Sequence, residues 1–246
     1  MTVIDARGMY YRELNQRLRE GIRQGEHHFR LVNVEGQRYI ADGIVAQGVR
    51  VDIYGVPGQD LAAFMDGPTV VVYNNAQDGV GNTMNGGKVV VHGLAGDVVG
   101  YGMRGGRLYV RDNVGYRVGI HLKGYQDQQP ILVVGGKAGN FFGEYMAGGY
   151  LILLGATTDD ARPVVGDYCA TGMHGGVIYI RGEVDPHYLG REVRCFDLEE
   201  SDIKFLTPIL QDFLTELDLD LAVFDFERYT KIIPVSTRPY GQLYAY

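Results

Sequence analysis

The residues best equipped for chemistry in this chain are its six histidines, its two cysteines and a few lysines and carboxylates beside glycine pairs. His27 and His28 are adjacent in what reads as a loop, where two neighbouring rings do not easily face one metal ion. His92 follows a strand-like run, whereas His121 and His174 stand three and one residues ahead of recurring glycines, so the spacing sends them to different faces. Lys88 and Lys137 each follow a glycine pair, but neither precedes Ser or Thr and the glycine spacing of a phosphate loop is missing. GYGMRG at Gly100 to Gly105 imitates a dinucleotide fingerprint, yet a strand follows where a helix is required. Cys169 and Cys195 have no CxxC neighbour and read as reduced core thiols. Asp159, Asp160, Asp167 and Glu183 form an acidic group that reads as a surface loop, with partner docking as its functional alternative. No GxSxG nucleophile turn is present. The chemistry does not converge: the expectation is a chain with no catalytic, cofactor or metal site of its own.

Composition narrows the class. Of 246 residues, 46% are hydrophobic and 22% charged, an ordinary globular balance, while 36 glycines are about twice the usual share of ~7%. A formal net charge of −7 argues against general affinity for nucleic acid or anionic membranes. No apolar run approaches the roughly 20 residues of a membrane span, and the first residues lack the layout of a signal peptide. A cytoplasmic location is expected.

The elements that position everything else come from a repeat. Gly48, Gly67, Gly86, Gly105 and Gly124 stand 19 residues apart, and Gly148 and Gly175 follow after 24 and 27. Two residues ahead of these glycines come Ala46, Met65, Met84, Met103, Leu122, Met146 and Met173; five ahead come Gly43, Ala62, Gly81, Gly100, Gly119, Gly143 and Ala170, all small. A β-branched run follows each glycine, as in VRVDIY, PTVVVY, GKVVVH and GRLYVR, and a turn residue closes it. Such a period marks a solenoid. Coils stacked at about 4.8 Å put the methionines in one internal column, where flexible thioethers fill space, and the small residues at corners that are crowded or left-handed. The predicted fold is all-β: a right-handed, single-stranded parallel β-helix of about seven coils with short capping helices at both ends. The extra residues fall at Tyr125–Gln129 and around Ala156–Pro163, where excursions suit partner binding.

Three segments result: a lead-in over 1–42, the β-helix over 43–184 and a cap and tail over 185–246. Tyr10, Leu14, Leu18 and Ile22 give the lead-in an amphipathic helix, followed by strands at Phe29–Val34 and Arg38–Ile40. Apolar periodicity from Glu199 to Leu217, broken at Thr207-Pro208, predicts two helices over the second open end, with Thr207 as N-cap. The tail, FERYTKIIPV and RPYGQLYAY, reads as extended, folded back on the body or crossing to a partner. No aromatic ladder or carboxylate cluster is expected in register on a coil face, which counts against a sugar-binding or independently catalytic β-helix.

The units NTMNGGKVVVHG, YGMRGGRLYVRDNVG, GEYMAGGYLILLG and ATGMHGGVIYIRG resemble the GXGXG β-helix domain of glutamate synthases. That domain is the C-terminal part of the large, glutamine-amidotransferase subunit, and the likeness spans roughly residues 5–220. In the family it is a scaffold between the amidotransferase, where glutamine releases ammonia, and the FMN domain, where 2-oxoglutarate becomes glutamate. The N-terminal Cys nucleophile and the FMN and Fe–S domains have no counterpart here, since the first cysteine is Cys169. The resemblance implies a stand-alone scaffold subunit with FMN and Fe–S in partner chains. Similar repeats in one of the subunits of formylmethanofuran dehydrogenase, and in those of N-methylglutamate synthase, supply the alternative. The family's repeat glycines are structural, so no catalytic residue carries over.

Overall fold

Each repeat delivers a β-branched run from a glycine corner, and in the computed structural model, which describes residues 1–125, 127–158 and 161–235, these runs stack as parallel strands. The chain runs through β1 (Thr2–Asp5), α1 (Tyr11–Arg23), β2 (His28–Glu35), β3 (Arg50–Val56), β4 (Thr69–Val72), β5 (Lys88–Val91), β6 (Arg107–Val110), β7 (Ile131–Val134), β8 (Ala147–Leu153) and β9 (Gly175–Arg181). It continues with β10 (Val193–Phe196), α2 (Glu200–Leu217) and β11 (Tyr229–Pro234). One sheet holds all of the strands in the order β1 to β9, then β11, then β10. The repeat sets the register directly: Thr69 pairs with Lys88 and Lys88 with Arg107. Seven strands, β3 to β9, are therefore joined by six full turns, one short of the seven coils expected, because the last corner feeds the last strand. The lead-in strand β2 pairs parallel to β3, so the sheet begins before the repeat does.

Inside the rod, Met65, Met84, Met103, Leu122, Met146 and Met173 are buried in a single hydrophobic core with the alternate strand residues, such as Val70, Val72, Val89 and Val91. The small residues Ala62, Gly81, Gly100, Gly119, Gly143 and Ala170 all have positive φ, so left-handed backbone is what selects them. From Gly86 on, the marker glycines serve closeness instead, whereas Gly48 and Gly67 themselves have positive φ. A Cβ on Gly105 or Gly175 would collide with the carbonyl of the coil below, Asn85 or Ala147. The glycine after the marker does both jobs: Gly106 and Gly176 have positive φ, and a Cβ there would strike the methyl of Met84 or Met146.

The first coil departs from the expected register. Ala41, not Gly43, occupies the left-handed position whose carbonyl neighbour Ile40 accepts from the Ala62 N–H. Ile44, not Ala46, continues the methionine column: its carbonyl accepts from Asp66 as that of Met65 accepts from Asn85. Two extra residues in this corner cause the shift. Arg38–Ile40 is likewise corner rather than strand, with Tyr39 at φ 58. The later excursions lie where the sequence puts them: Tyr125 and Gln128 close on each other across the first, although Gln126 lies outside the described residues. Asp159 and Asp160 of the second excursion lie outside them too, as does 236–246, which contains RPYGQLYAY.

The C-terminal end is closed differently from what the helical periodicity suggests. α2 is one helix, and Pro208 sits within it. Its N-terminus is a reciprocal cap in which the Asp202 carboxylate accepts from the Glu199 N–H at 2.9 Å. Thr207 caps nothing; its hydroxyl donates to the Ile203 carbonyl. Burial of Leu206, Ile209, Leu210 and Phe213 on both sides of Pro208 carries the helix through the hydrogen bond that proline removes. Nor does α2 cover the open end. It packs with Val71, Val90, Tyr109, Val133, Ile152 and Tyr179, the outward residues of β4 to β9, in a second core. The end itself is closed by β11, which folds back antiparallel on β9, and by β10 beyond it.

Both ends of the coil stack use side chains where a further coil would supply backbone. At the start, Asn15 on α1 accepts from the Ala41 N–H through Oδ1 and donates through Nδ2 to the Arg38 carbonyl. Gln37 donates to the Ala6 and Met9 carbonyls. At the far end the Gly172 N–H donates to the Glu192 carboxylate.

Candidate functional site

The outward face of the sheet is where polar side chains gather, and α2 divides it in two. Over β5 and β6 the helix brings Asp212 and Glu216 onto outward cations. Lys88 Nζ is 3.0 Å from Asp212 and 2.7 Å from Glu216, Arg107 is 2.6 Å from Asp212, and the Tyr109 hydroxyl donates to Asp212 at 2.7 Å. Burial works to raise the Asp212 pKa; hydrogen bonds from Tyr109, Lys88 and Arg107 outweigh it and hold the carboxyl below its ordinary value. Burial and the same carboxylate push the Tyr109 phenol up. At the other end of α2, Asp202 accepts from Tyr179 at 2.7 Å and Lys231 at 2.9 Å. These clusters fasten a helix to a sheet.

Beyond the C-terminus of α2 the register column Lys88, Thr69, Arg50, His28 runs on to β2. Here the buried carboxylate is Asp52. His28 Nε2 lies 2.6 Å from it, Arg50 Nε donates at 2.9 Å and the Tyr73 hydroxyl approaches at 3.4 Å. Burial again favours the neutral acid, and His28 and Arg50 overcome it, so Asp52 sits below its ordinary pKa. A His–Asp pair can orient an imidazole for base catalysis, but among the described residues this ring makes no hydrogen bond to a serine, threonine or cysteine. The geometry is that of a charge cluster, not a catalytic triad.

Beside it runs an aromatic ladder that sequence reasoning missed. Tyr54 and Tyr73 stack with centroids 4.7 Å apart, Tyr73 and His92 at 5.0 Å, and Arg30 lies 5.3 Å over Tyr54. The two tyrosines are each 38% exposed. The expectation of no in-register ladder is therefore corrected. The signal was present, since Tyr54, Tyr73 and His92 are 19 residues apart, but it is easily read as strand ends. Burial, then the nearby Arg111, pulls the His92 pKa down. Shorter stacks stand on the corner face, His121 on Tyr145 at 5.5 Å and Phe141 on Tyr168 at 5.0 Å, with Arg117 over Phe141.

The structure does not bring the remaining sequence candidates together. His92 belongs to the ladder, His121 to a ring stack, and His174 bonds the Gly172 carbonyl. Cys169 is buried in the core as a free thiol, its pKa raised by burial. Cys195 is also free but exposed on the edge strand β10, so only one of the two is a core thiol. Among the described residues no group of three His, Cys, Asp or Glu could hold a metal. Asp167 lines a cleft of about 440 Å³ beside the second excursion, with Tyr116, Lys137, Asn140, Arg162 and Tyr188. Gly48, Gly67, Gly86, Gly105 and Gly124 lie in the corners leading to the strands and Gly148 and Gly175 at the starts of β8 and β9, where they shape the backbone ahead of the outward side chains. No helix among the described residues is long and apolar enough to cross a membrane.

A parallel solenoid with left-handed glycine corners, a methionine spine and one external helix defines a class of protein by its fold. The model of the GXGXG motif family matches residues 29–235, and the chain belongs to that family. It is also similar to Uncharacterized protein MJ1350 of Methanocaldococcus jannaschii, with 49% identity over 249 residues, 98% of this chain and 95% of that one.

Proposed function

We propose that the chain is a non-catalytic scaffold subunit of a glutamate-synthase-type complex, joining a glutamine amidotransferase subunit to an FMN-dependent synthase subunit. The observation that carries this reading is the family match over the rod and its external helix. A second supports it: the buried acids Asp52 and Asp202, and the partly buried Asp212, are each engaged with cations and hydroxyls of the chain itself. Fe–S clusters are held by sets of cysteine thiolates, and two separate cysteines do not make such a set. In this reading FMN and Fe–S belong to the partner subunits, and the cell interior is where the complex works.

The test is to purify the tagged chain from its native host and then reconstitute. A complex with flavin absorbance, containing a glutaminase and a flavoprotein and forming glutamate from glutamine and 2-oxoglutarate, is the expected result. Recovery with a molybdenum- or tungsten-pterin enzyme would replace it with a formylmethanofuran-dehydrogenase-type role, and recovery of the chain alone would end the scaffold reading.

A further inference from the structure

α1 carries a row of arginines most of whose donors the fold leaves over. Arg12, Arg19 and Arg23 line a groove of about 300 Å³ between the helix and the first corner of the solenoid, with Tyr11, Gln16, Tyr39 and Asp42. A guanidinium has five N–H donors in a fixed fork. Each of the three holds one local acceptor: Arg12 Nε the Tyr11 hydroxyl at 3.3 Å, Arg19 the Asp42 carbonyl at 2.5 Å, Arg23 Nε the Arg19 carbonyl at 3.2 Å. These bonds fix where the forks stand and leave most of their donors over.

None of the three meets a carboxylate among the described residues, although α1 offers two. Glu13 is taken by Arg17 at 2.7 Å and Glu20 accepts from Gln16 at 2.8 Å. Among the described residues the acid lining the groove is Asp42; burial pushes its carboxyl pKa up, Arg19 opposes and Asp60 adds to the rise. Arg38 adds a fourth positive charge near Tyr11. On a chain of net charge −7 this is a local reversal of sign in a concave site. The rings of Tyr11 and Tyr39, 5.6 Å apart, give it an apolar wall.

We infer that this groove binds a small anion bearing two or more phosphates. Arginine forks pair with phosphate oxygens two at a time, and three forks in one groove match a multiply charged group that a single carboxylate would leave under-satisfied. The site is independent of the proposed scaffold role, and nothing in that role requires it.

Calorimetric titration of the full chain with inorganic pyrophosphate, at about 0.15 M salt so that long-range attraction is screened, tests this. Citrate at matched concentration is the comparison. Pyrophosphate is expected to bind at one site, with citrate weaker. Arg19→Gln should weaken pyrophosphate roughly tenfold or more, the scale of a lost charged hydrogen bond, whereas Asp42→Asn should tighten it and Arg17→Gln leave it unchanged. Thermal melts verify that each variant is folded, and the exposed pair Arg12→Gln with Arg23→Gln substitutes if Arg19→Gln is not. No binding, equal binding of citrate, or undiminished binding in the folded arginine variants would overturn the inference.

Discussion

The two halves of the outer sheet face obey different rules. Over β4 to β9 the strands are sandwiched between the methionine-filled interior and α2, and they read as nearly unbroken apolar runs: TVVV, KVVV, RLYV and ILVV. β3 has the same interior but no helix above it, and its sequence alternates, RVDIY, with Asp52 and Tyr54 outward. The strand letters therefore report how many layers lie over each coil. Where the second layer is present, charges fasten it; where it is absent, charges and rings face one another and the solvent.

The largest effect should come from breaking the covered half. Phe213→Ala removes a fully buried ring packed edge-on to Tyr109 at 5.6 Å, and should cost about 3–5 kcal/mol in urea melts. A loss below about 1 kcal/mol would show that α2 is not a structural layer. Gly105→Val acts on the rod shared by both halves. Its Cβ meets the Asn85 carbonyl, backbone that cannot rotate away, and a loss of about 3 kcal/mol or more is expected.

Acid sharpens the contrast next. Asp212 is held below its ordinary pKa when folded, so the folded protein binds its proton less readily than the unfolded chain does. Its contribution is complete at neutral pH and is lost as pH falls through the lowered folded value. Hydrogen-exchange protection across α2, corrected for the intrinsic rate at each pH, should accordingly fall at acid pH, and Asp212→Asn should flatten that fall. Smallest is Tyr54→Ala on the open face, expected within about 0.5 kcal/mol of the parent, with the ultraviolet signature of stacked tyrosines reduced. A loss like that of Phe213→Ala would mean that the ladder is part of the core.

Much of the rod is legible in the sequence because a repeat prints its own geometry. The 19-residue spacing gives strand register, the methionine column gives the interior, and the longer intervals locate both excursions. What stays hidden depends on partners in space. The periodicity of α2 reveals its apolar face but not that this face meets Val90 and Tyr109 rather than the open end. The first coil misleads because small and apolar residues occur at two offsets, Ala41 or Gly43 and Ile44 or Ala46, and only carbonyl pairing separates them. The ladder is disguised because one rung is histidine. Asn15 reads as an ordinary helix position until its two bonds to the first corner are seen.

Those terminal side chains also settle how long the rod is. Between Asn15 and Gln37 at one end and Glu192 at the other, the coils after the first offer their neighbours much the same backbone pattern, so the backbone of the rod does not itself count coils. Length is set from outside, by the two ends and by α2, which reaches from Tyr179 on β9 to Lys88 on β5. Splicing one more 19-residue unit between Gly86 and Gly105 would lengthen the stack by about 4.8 Å and leave both ends as they are, but it would part Lys88 from Arg107, which Asp212 on α2 holds together. A protein built this way can act as an adjustable ruler, its reach changed by whole coils while the surfaces at its two ends are kept.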